Sequence, residues 1–274
     1  MKLKYLPESL YTSLKYRLKS TQELISPIGN ELNVAVSLTA IPSRFSILDL
    51  TLASVFSQSP KPKHIYLWIN ESHMDLLPAR VKKMEGDILK IKLTPLHTAH
   101  KKLIHTLKEQ PDLPVVTCDD DVLYRQNWLN TLYESHLKHP KYVIAHRGRT
   151  ITFDENDALK TYEDWHYDPK GSFDLFKPIG VNGVLYPPRV FGELIHDDQL
   201  FMKLAPKNDD VWFKTVQLVE GIKARKADQS PEPPIPIPGT QSISLRNVNV
   251  KQGMNDEQWK NCIDYFKLDL LSKK

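Results

Sequence analysis

Short apolar runs and amphipathic segments alternate along the first half of the chain. The apolar runs are rich in β-branched and aromatic residues, as buried strands are, and they fall at 33–39, 64–69, 88–93 and 114–118. Apolar residues recur at helical spacing at 47–56, 101–109 and 128–137. Strands that alternate with helices indicate βαβ units, so the sequence predicts an α/β fold with a mostly parallel central sheet.

The second half of the chain has a less regular pattern. Residues 142–145 predict a further strand, whereas 154–177 are polar and aromatic and predict a loop-rich segment. Five prolines between positions 231 and 238 favour an extended connector to a terminal segment. We therefore divide the chain into three regions, which are a basic helical segment at 1–30, a main domain at 31–225 and a proline-rich connector with a C-terminal segment at 226–274.

The N-terminal segment combines an apolar helical face with positive charge. Its apolar residues are Leu10, Tyr11, Leu14 and Leu18, and its basic residues are Lys15, Arg17 and Lys19. One interpretation is a helix that lies on a membrane surface. The other is a helix that covers the domain's own core, which is the commoner use of an amphipathic helix and is the one we favour from the sequence.

Composition narrows the functional classes. The chain has 274 residues, of which 41% are hydrophobic and 26% are charged, as in ordinary globular proteins. A formal net charge of +4 is too small to predict a nucleic-acid partner, and two cysteines exclude a disulfide framework. No apolar run reaches the roughly 18 residues that a membrane span needs. We expect a cytoplasmic protein that contacts the inner face of the cell membrane at most peripherally.

An acidic triplet, Asp119-Asp120-Asp121, follows directly on the predicted strand at 114–118. Three adjacent carboxylates repel one another, and a divalent cation such as Mg²⁺ or Mn²⁺ offsets that charge while it also binds substrate phosphates. Structural roles are the alternative, because Asp119 can cap a turn and Asp121 can cap the next helix or pair with Arg125. The triplet lies at a strand end, as Thr39 and Asn70 do, where α/β sheets bind their ligands.

Five segments together resemble bacterial GT-A glycosyltransferases of the family 2-like kind, which are often found with capsule or lipopolysaccharide genes. The resemblance covers about residues 34–221 and is carried by Ser37–Arg44, Lys101–Ile104, Val116–Asp121, Gly180–Pro188 and Ala205–Trp212. It implies a single GT-A (Rossmann-like) domain with a C-terminal extension. It also implies a metal-dependent transfer of sugar from a nucleotide sugar, with UDP as the expected nucleotide, to a glycan or lipid-linked acceptor in surface polysaccharide synthesis.

The resemblance assigns roles on the donor side of the site. The residues expected to contact the donor are Thr39, Pro42, Arg44, Asn70, Lys101, Lys102, Asp119 and Asp120, with Mn²⁺ or Mg²⁺ held by Asp119 and Asp121. From the residues alone, Arg44 is equally well explained as a surface partner of Asp49. Lys101 and Lys102 are, on the same basis, ordinary solvated helix lysines.

On the acceptor side, the resemblance assigns Asn182 and Gly183 to a loop beside the sugar, and Trp165 is a candidate for stacking on it. From the residues alone, 180–183 is a turn before a strand and Trp165 is a packing residue. Asp209 and Asp210 follow Asn208, a good N-cap, and suit the first turn of a helix that ends at Gly221. The resemblance adds a general base, for which we favour Asp210 over Asp209, and inversion at the anomeric carbon.

Two other classes of protein remain open. A catalytically silent module that binds a nucleotide sugar or a glycan would keep the same fold. A nucleotidyltransferase also uses a metal and carboxylates, but it usually has a glycine-rich phosphate loop after the first strand, and Thr39–Arg44 contains no glycine.

Overall fold

The structure, a computed structural model, describes residues 5–26, 29–167, 172–239 and 254–274. Its helices are α1 (Leu6–Leu18), α2 (Thr21–Ile25), α3 (Phe45–Phe56), α4 (Ala79–Lys82), α5 (Lys101–Glu109), α6 (Trp128–Lys138), α7 (Asp198–Leu204), α8 (Asp209–Glu220) and α9 (Met254–Phe266). Its strands are β1 (Glu31–Thr39), β2 (Lys61–Asn70), β3 (Leu89–Thr94), β4 (Val115–Thr117), β5 (Val122–Leu123), β6 (Val143–Ala145), β7 (Gly148–Thr150), β8 (Phe176–Pro178), β9 (Val184–Tyr186), β10 (Ala224–Lys226) and β11 (Ile235–Pro236).

A seven-stranded sheet with the order β10-β6-β9-β4-β1-β2-β3 forms the centre of the protein. β1 pairs in parallel with β2 and β4, β2 pairs in parallel with β3, and β10 pairs in parallel with β6. β9 alone among these seven strands runs the other way, antiparallel to both β4 and β6. The predicted α/β class with a mostly parallel central sheet is therefore confirmed.

Alternation along the strands separates the core into two layers. Val34, Val36 and Leu38 of β1 pack in one hydrophobic cluster with α3 and α6. The opposite face of the sheet, through Val184 and Tyr186 of β9, packs in a second cluster with α5, α8 and α9. Each layer buries side chains that point to one face of the sheet, as the two-residue period of a strand requires.

Most of the predicted elements are confirmed, and the bounds of α5 match the predicted 101–109. The extended connector is also present, because Ile235–Pro236 pairs as β11 with β5 in an antiparallel ladder. The structure places β10 across the boundary predicted at residue 225, and the division into three regions stays a prediction. None of the helices within the described ranges is long and apolar enough to cross a membrane.

The orientation of α1 corrects one expectation. The helix forms where the sequence predicts it, but the four residues of its predicted apolar face do not cover the core. Leu10, Tyr11, Leu14 and Leu18 are between 54% and 77% exposed, whereas Ser9 is fully buried. The side chain of Ser9 donates a hydrogen bond of 2.7 Å to the carbonyl of Pro236, and the half-buried Tyr16 packs against the core. The helix thus meets the domain through the side that carries Ser9 and Tyr16, and Leu10, Tyr11, Leu14 and Leu18 face outwards.

Candidate active site

Two neighbouring parallel strands, β1 and β4, end beside each other and define the edge at which the site lies. Ser37 pairs with Thr117, and the amide of Cys118 donates to the carbonyl of Ser37 at 3.0 Å. The chain continues from Cys118 directly into the acidic triplet. The triplet therefore lies at the carboxyl edge of the sheet, where the sequence predicts it.

Helix α5 is fixed against β1 by a buried polar contact. The hydroxyl of Ser37 donates to the carbonyl of Lys102 at 2.5 Å and lies 2.7 Å from the hydroxyl of Thr106. Trp68 of β2 donates its indole N–H to the same Thr106 hydroxyl at 2.7 Å. Because all of these groups are buried, their mutual hydrogen bonds fix the start of α5, and with it the side chain of Lys102, beside the triplet.

Arg44 ion-pairs with two members of the triplet. Its guanidinium lies 2.5 Å from the Asp120 carboxylate and 3.1 Å from that of Asp121, and the side chains of all three residues are at most 12% exposed. Asp49, the surface partner considered from the sequence, instead ion-pairs with Arg80 at 3.1 Å. Arg44 is thus part of the site whether or not it also contacts a phosphate.

Lys102 joins the triplet to the start of α8. Its ammonium lies 2.9 Å from Asp119 and 3.0 Å from Asp209, and its side chain is only 6% exposed. Burial alone lowers the pKa of Lys102, but Asp119, Asp209 and Asp210 outweigh burial and raise that pKa well above its ordinary value. Lys102 is therefore a fixed cation between two acidic segments, unlike the solvated helix lysine considered from the sequence.

Asp209 and Asp210 begin α8 and have different partners. Asn208 caps the helix by accepting from the amide of Val211 at 3.2 Å, as its sequence position predicts. Asp210 accepts from the amide of Gly180 at 3.0 Å. Burial raises the pKa of Asp210, with Lys177 opposing it, whereas the Lys102 and His100 charges overcome burial and lower the pKa of Asp209.

The triplet retains negative charge despite its basic neighbours. Burial raises the pKa of Asp121 to about 6, and Asp119 adds to the effect while Arg44 opposes it. The pKa of Asp120 is also raised, first by burial, against the opposing charge of Arg44. Two basic side chains contact the four carboxylates of Asp119, Asp120, Asp121 and Asp209, which leaves a formal charge of −2 when all are ionised.

No three His, Cys, Asp or Glu side chains are grouped to hold a metal ion within the described ranges. Arg44 and Lys102 compensate part of the triplet's charge, whereas the ion pair considered from the sequence was one between Asp121 and Arg125. Mg²⁺-like ions are nevertheless often bound by one or two carboxylates together with substrate phosphates. Asp119, whose side chain is 31% exposed, and Asp121 are compatible with such a site, and their metal role stays a prediction.

Three of the other residues expected on the donor side, Thr39, Asn70 and Lys101, bind backbone carbonyls of neighbouring segments. Thr39 donates its hydroxyl to the carbonyl of Trp68 at 2.7 Å, and Pro42 opens the single 3₁₀ turn that contains Arg44. Asn70 and Lys101 are both buried, and both donate to the carbonyl of Leu96, at 3.3 and 3.2 Å. Asn70 and Lys101 thus hold the loop after β3, and their contact with a donor stays a prediction.

The loop at 180–183 lies at the same edge of the sheet as the triplet, because it precedes β9, whose Val184 pairs antiparallel with Thr117 of β4. The hydroxyl of Tyr124 accepts from the amide of Asp119 at 2.8 Å and donates to the carbonyl of Val181 at 3.1 Å. Trp128 donates to the carbonyl of Asn182 at 2.7 Å. The sequence reasoning missed both aromatic residues, although the apolar run Val122–Tyr124 after the triplet was a usable signal.

Of the three residues predicted on the acceptor side, two lie beside the triplet and one packs in the core. Asn182 and Gly183 lie in the loop that meets Tyr124 and Trp128, beside the triplet. Trp165 is 2% exposed, donates its indole N–H to the carbonyl of Lys160 and packs edge-on against Trp259 with ring centroids 5.5 Å apart. These contacts match the alternative considered from the sequence, in which Trp165 is a packing residue. A stacking contact of Trp165 with a sugar stays a prediction.

Comparison with known proteins does not identify a family for this chain. No family model matches the chain, and no curated protein matches it. Among solved structures, 4-diphosphocytidyl-2C-methyl-D-erythritol synthase from Anaerococcus prevotii is similar at 13% identity and a TM-score of 0.45, over 84% of this chain and 99% of that one. CMP:2-keto-3-deoxy-manno-octonic acid synthetase, solved with CTP, is similar at 10% identity and a TM-score of 0.47, over 82% and 100%. At these values neither likeness assigns a family or an activity to this chain.

Proposed function

We propose that this protein is a metal-dependent glycosyltransferase that moves a sugar from a nucleotide-sugar donor, with UDP as the expected nucleotide, to a glycan or lipid-linked acceptor. The observation that supports it most is the Lys102 ammonium, which contacts both Asp119 after β4 and Asp209 at the start of α8. A donor-side carboxylate and the helix start that carries the proposed base Asp210 are thereby held around one cation, at the edge of the sheet where α/β folds bind ligands.

The donor side has the charges that a diphosphate requires. Arg44 offers a forked guanidinium of the kind that binds phosphate in a bidentate manner, and Lys102 offers a buried ammonium. Asp119 and Asp121 would hold a Mn²⁺ or Mg²⁺ ion, whose double charge matches the formal −2 left among the four carboxylates. Such an ion, when bound, offsets the negative charge that accumulates on the leaving diphosphate.

Asp210 is the residue we assign as general base. Its raised pKa, caused first by burial, brings it closer to the neutral range in which a base is most effective, whereas Asp209 is engaged with Lys102. The acceptor oxygen attacks the anomeric carbon and its proton passes to Asp210. The bond from that carbon to the diphosphate oxygen breaks, its electron pair leaves with the diphosphate, and the anomeric configuration is inverted.

The acceptor side is formed by the loop that Asp210 itself holds. Gly180 donates its amide to Asp210, and a Cβ at Gly180 would lie 3.0 Å from the Asp210 carboxylate and 3.6 Å from the Lys102 ammonium. The absence of a side chain at Gly180 thus permits this close approach. Asn182, two residues on, is the candidate for a hydrogen bond to a sugar hydroxyl.

The first experiment is a thermal-shift titration with UDP and UDP-sugars, with and without Mn²⁺. The proposal predicts a shift that needs both the metal and Asp121, so that it is lost in Asp121→Asn and Asp121→Ala. Asp112→Ala is the matched control, because the Asp112 side chain is 73% exposed in a surface ion pair with Arg189. If the folded wild type gives no shift with any UDP, GDP or CMP compound, the donor-site assignment is wrong.

A catalytically silent module that binds nucleotide sugars or glycans is the second candidate. It is favoured by the two ion pairs of Arg44, which occupy carboxylate oxygens of Asp120 and Asp121. Release of UDP from UDP-sugars in the presence of Mn²⁺ separates the two proposals. A protein that binds the donor but neither hydrolyses it nor transfers its sugar to any of a panel of glycan and lipid-linked acceptors is the silent module.

A further inference from the structure

Helix α1 presents a continuous apolar face to its surroundings. Leu10, Tyr11, Leu14 and Leu18 are 54%, 71%, 58% and 77% exposed. With about 100° between successive residues of an α-helix, these four fall within an arc of roughly 100°. We call this surface the α1 face. Four adjacent large apolar side chains on one helix differ from the isolated exposed apolar residues that every protein surface carries.

Basic side chains border the α1 face on both sides. Arg17 lies about 20° outside one border of the arc and Lys15 about 40° outside the other, at the same angular spacing. Both are exposed, and Arg17 also donates to the carbonyl of Ser46 at the start of α3 at 3.2 Å. An apolar centre with basic borders is the pattern of helices that lie in the interface of an anionic bilayer.

Polar contacts hold α1 in this orientation. Ser9 donates to Pro236, and Glu8 accepts from Arg125 at 2.6 Å. Arg80 donates to the carbonyl of Tyr16 at 3.0 Å. These contacts and the packing of Tyr16 against the core hold the opposite side of the helix on the domain, so the α1 face points away from it.

We propose that the α1 face binds the surface of an anionic lipid bilayer. Its four apolar side chains would enter the boundary between headgroups and acyl chains, while Lys15 and Arg17 meet the lipid phosphates. A second copy of the chain is the less suitable occupant, because a two-fold contact through this face would bring the basic borders of both copies into one interface. The formal net charge of +4 acts in the same direction, since it attracts the protein to anionic lipid.

The α1 face is connected to the candidate active site by short steps. The carbonyl of Pro236 accepts from Ser9, and the next residue, Ile237, donates its amide to the carbonyl of Asp121 at 3.2 Å. A bilayer bound at α1 would therefore be held at a fixed orientation to the acidic triplet, which suits an acceptor that is itself anchored in lipid. This inference adds a binding surface to the proposed function, and lipid binding can be measured without donor or metal.

The test is co-sedimentation of the full chain with vesicles of 70% phosphatidylcholine and 30% phosphatidylglycerol, and with vesicles of phosphatidylcholine alone. The variant L10S/L14S/L18S removes the leucines of the α1 face. The matched control L76S/L93S/L137S removes three leucines that are 61%, 49% and 63% exposed elsewhere on the protein. Equal urea midpoints for the wild type and the two variants would show that a difference in vesicle binding is caused by the changed surface and not by unfolding.

The expected result is binding of the wild type to the anionic vesicles, with a partition coefficient about tenfold lower in L10S/L14S/L18S and unchanged in the control. Lys15→Glu should weaken binding about fivefold at low salt. The inference is overturned if the wild type binds neither kind of vesicle, or if L10S/L14S/L18S binds as tightly as the wild type. It is equally overturned if the wild type forms a dimer that L10S/L14S/L18S abolishes and shows no affinity for lipid, since the occupant is then a second copy.

Discussion

Asp209 and Asp210 show how neighbouring residues of one type acquire different chemistry. Both lie in the first turn of α8, where a carboxylate is favoured by the helix dipole. The side chain of Asp209 points to the Lys102 ammonium at 3.0 Å, whereas Asp210 accepts a backbone amide. The ion pair lowers one pKa, and burial raises the other. One residue is thus suited to hold a cation and the other to take a proton.

Asp210→Asn should abolish sugar transfer while the protein stays folded and binds donor. Removing a positioned general base costs about 10²- to 10⁴-fold in kcat, and the KM for the donor should change little because Asp210 is assigned to the proposed acceptor side. Steady-state kinetics and a donor titration measure both quantities. Retention of more than a tenth of the wild-type kcat would exclude Asp210 as the base and point to Asp209.

Lys214 should make stability depend on pH. It is fully buried in α8, and burial lowers its pKa to about 7, with Asp174 opposing and Lys177 adding to the effect. Between about pH 7 and 10 the unfolded chain holds a proton on this lysine that the folded protein has lost, so wild-type stability rises with pH in that window. Lys214→Met removes this dependence and should be the more stable protein at pH 7.

Urea unfolding from pH 7 to 10 tests this expectation. The advantage of Lys214→Met over wild type should shrink by about 1 kcal/mol for each pH unit, because one proton is involved. Lys260→Met is the control, since Lys260 is exposed on α9 and its replacement should change stability by less than about 0.5 kcal/mol at every pH. A difference between Lys214→Met and wild type that does not vary with pH would mean that Lys214 is charged in the folded protein.

At the scale of elements, the loop before β9 depends on a glycine. Gly183 has a φ of +96°, and a Cβ there would lie 2.5 Å from the indole nitrogen of Trp128, which is itself fixed by its hydrogen bond to Asn182. Both the backbone conformation and the space therefore require glycine at this position. The same loop carries Gly180 and Asn182, so its shape matters to the proposed acceptor side.

Gly183→Ala should reduce the free energy of unfolding by about 3 kcal/mol, through positive φ and overpacking together. Gly221→Ala separates the two causes, because Gly221 has a φ of +70° but a Cβ there would have open space. We expect Gly221→Ala to reduce the free energy of unfolding by about 1 kcal/mol. Gly86→Ala, which has open space and no positive φ, should be nearly neutral. Equal losses in the Gly183 and Gly221 variants would show that the contact with Trp128 is relieved by movement.

Periodicity in the sequence predicts that most helices and strands exist, but it does not predict which elements pair or pack with one another. The bounds of α5 and the extended residues around Ile235 follow from local pattern and proline content. The direction of β9 does not, because three apolar residues read the same in either direction. The exposed face of α1 was wrongly expected to be buried, since an amphipathic pattern shows that a helix has two faces without showing which one meets the domain.

For the site, the sequence identified the acidic triplet and Asp209-Asp210 but not how they are joined. The two segments lie far apart in the chain, and it is folding that brings Lys102 within 3.0 Å of both. Arg44 was equally compatible with Asp49, and only the tertiary structure shows that it pairs with Asp120 and Asp121. Contacts between residues distant in sequence leave no periodic pattern, so the sequence alone does not predict these ion pairs.

At the scale of the whole molecule, Arg125 connects three segments. It ion-pairs with Glu8 of α1 at 2.6 Å and with Glu232 at 3.0 Å, and it donates to the carbonyl of Pro233. The N-terminal helix and the proline-rich connector are thus both attached to the chain four residues beyond Asp121. We therefore expect Arg125 to stabilise the packing of both segments against the domain.

Arg125→Met should increase amide hydrogen exchange in 6–18 and 233–237 and lower the free energy of unfolding by about 1 kcal/mol, as expected for a partly buried network. Arg189→Met is the control, because its ion pair with Asp112 is more than 70% exposed on both sides and should contribute almost nothing. Exchange that rises equally in both variants, or in neither, would show that Arg125 does not hold the two segments.

The reversed strand β9 has a consequence for the order in which the protein can be built. The ribosome releases β4 and β6 before β9, yet β9 lies between them in the sheet. A nascent chain can pair β4, β1, β2 and β3 early, whereas β6 can join this sheet only after residues 184–186 have been made. Gly180, Asn182, Asp209 and Asp210 also emerge late, so a growing or truncated chain has the acidic triplet long before it has the proposed base and the proposed acceptor loop.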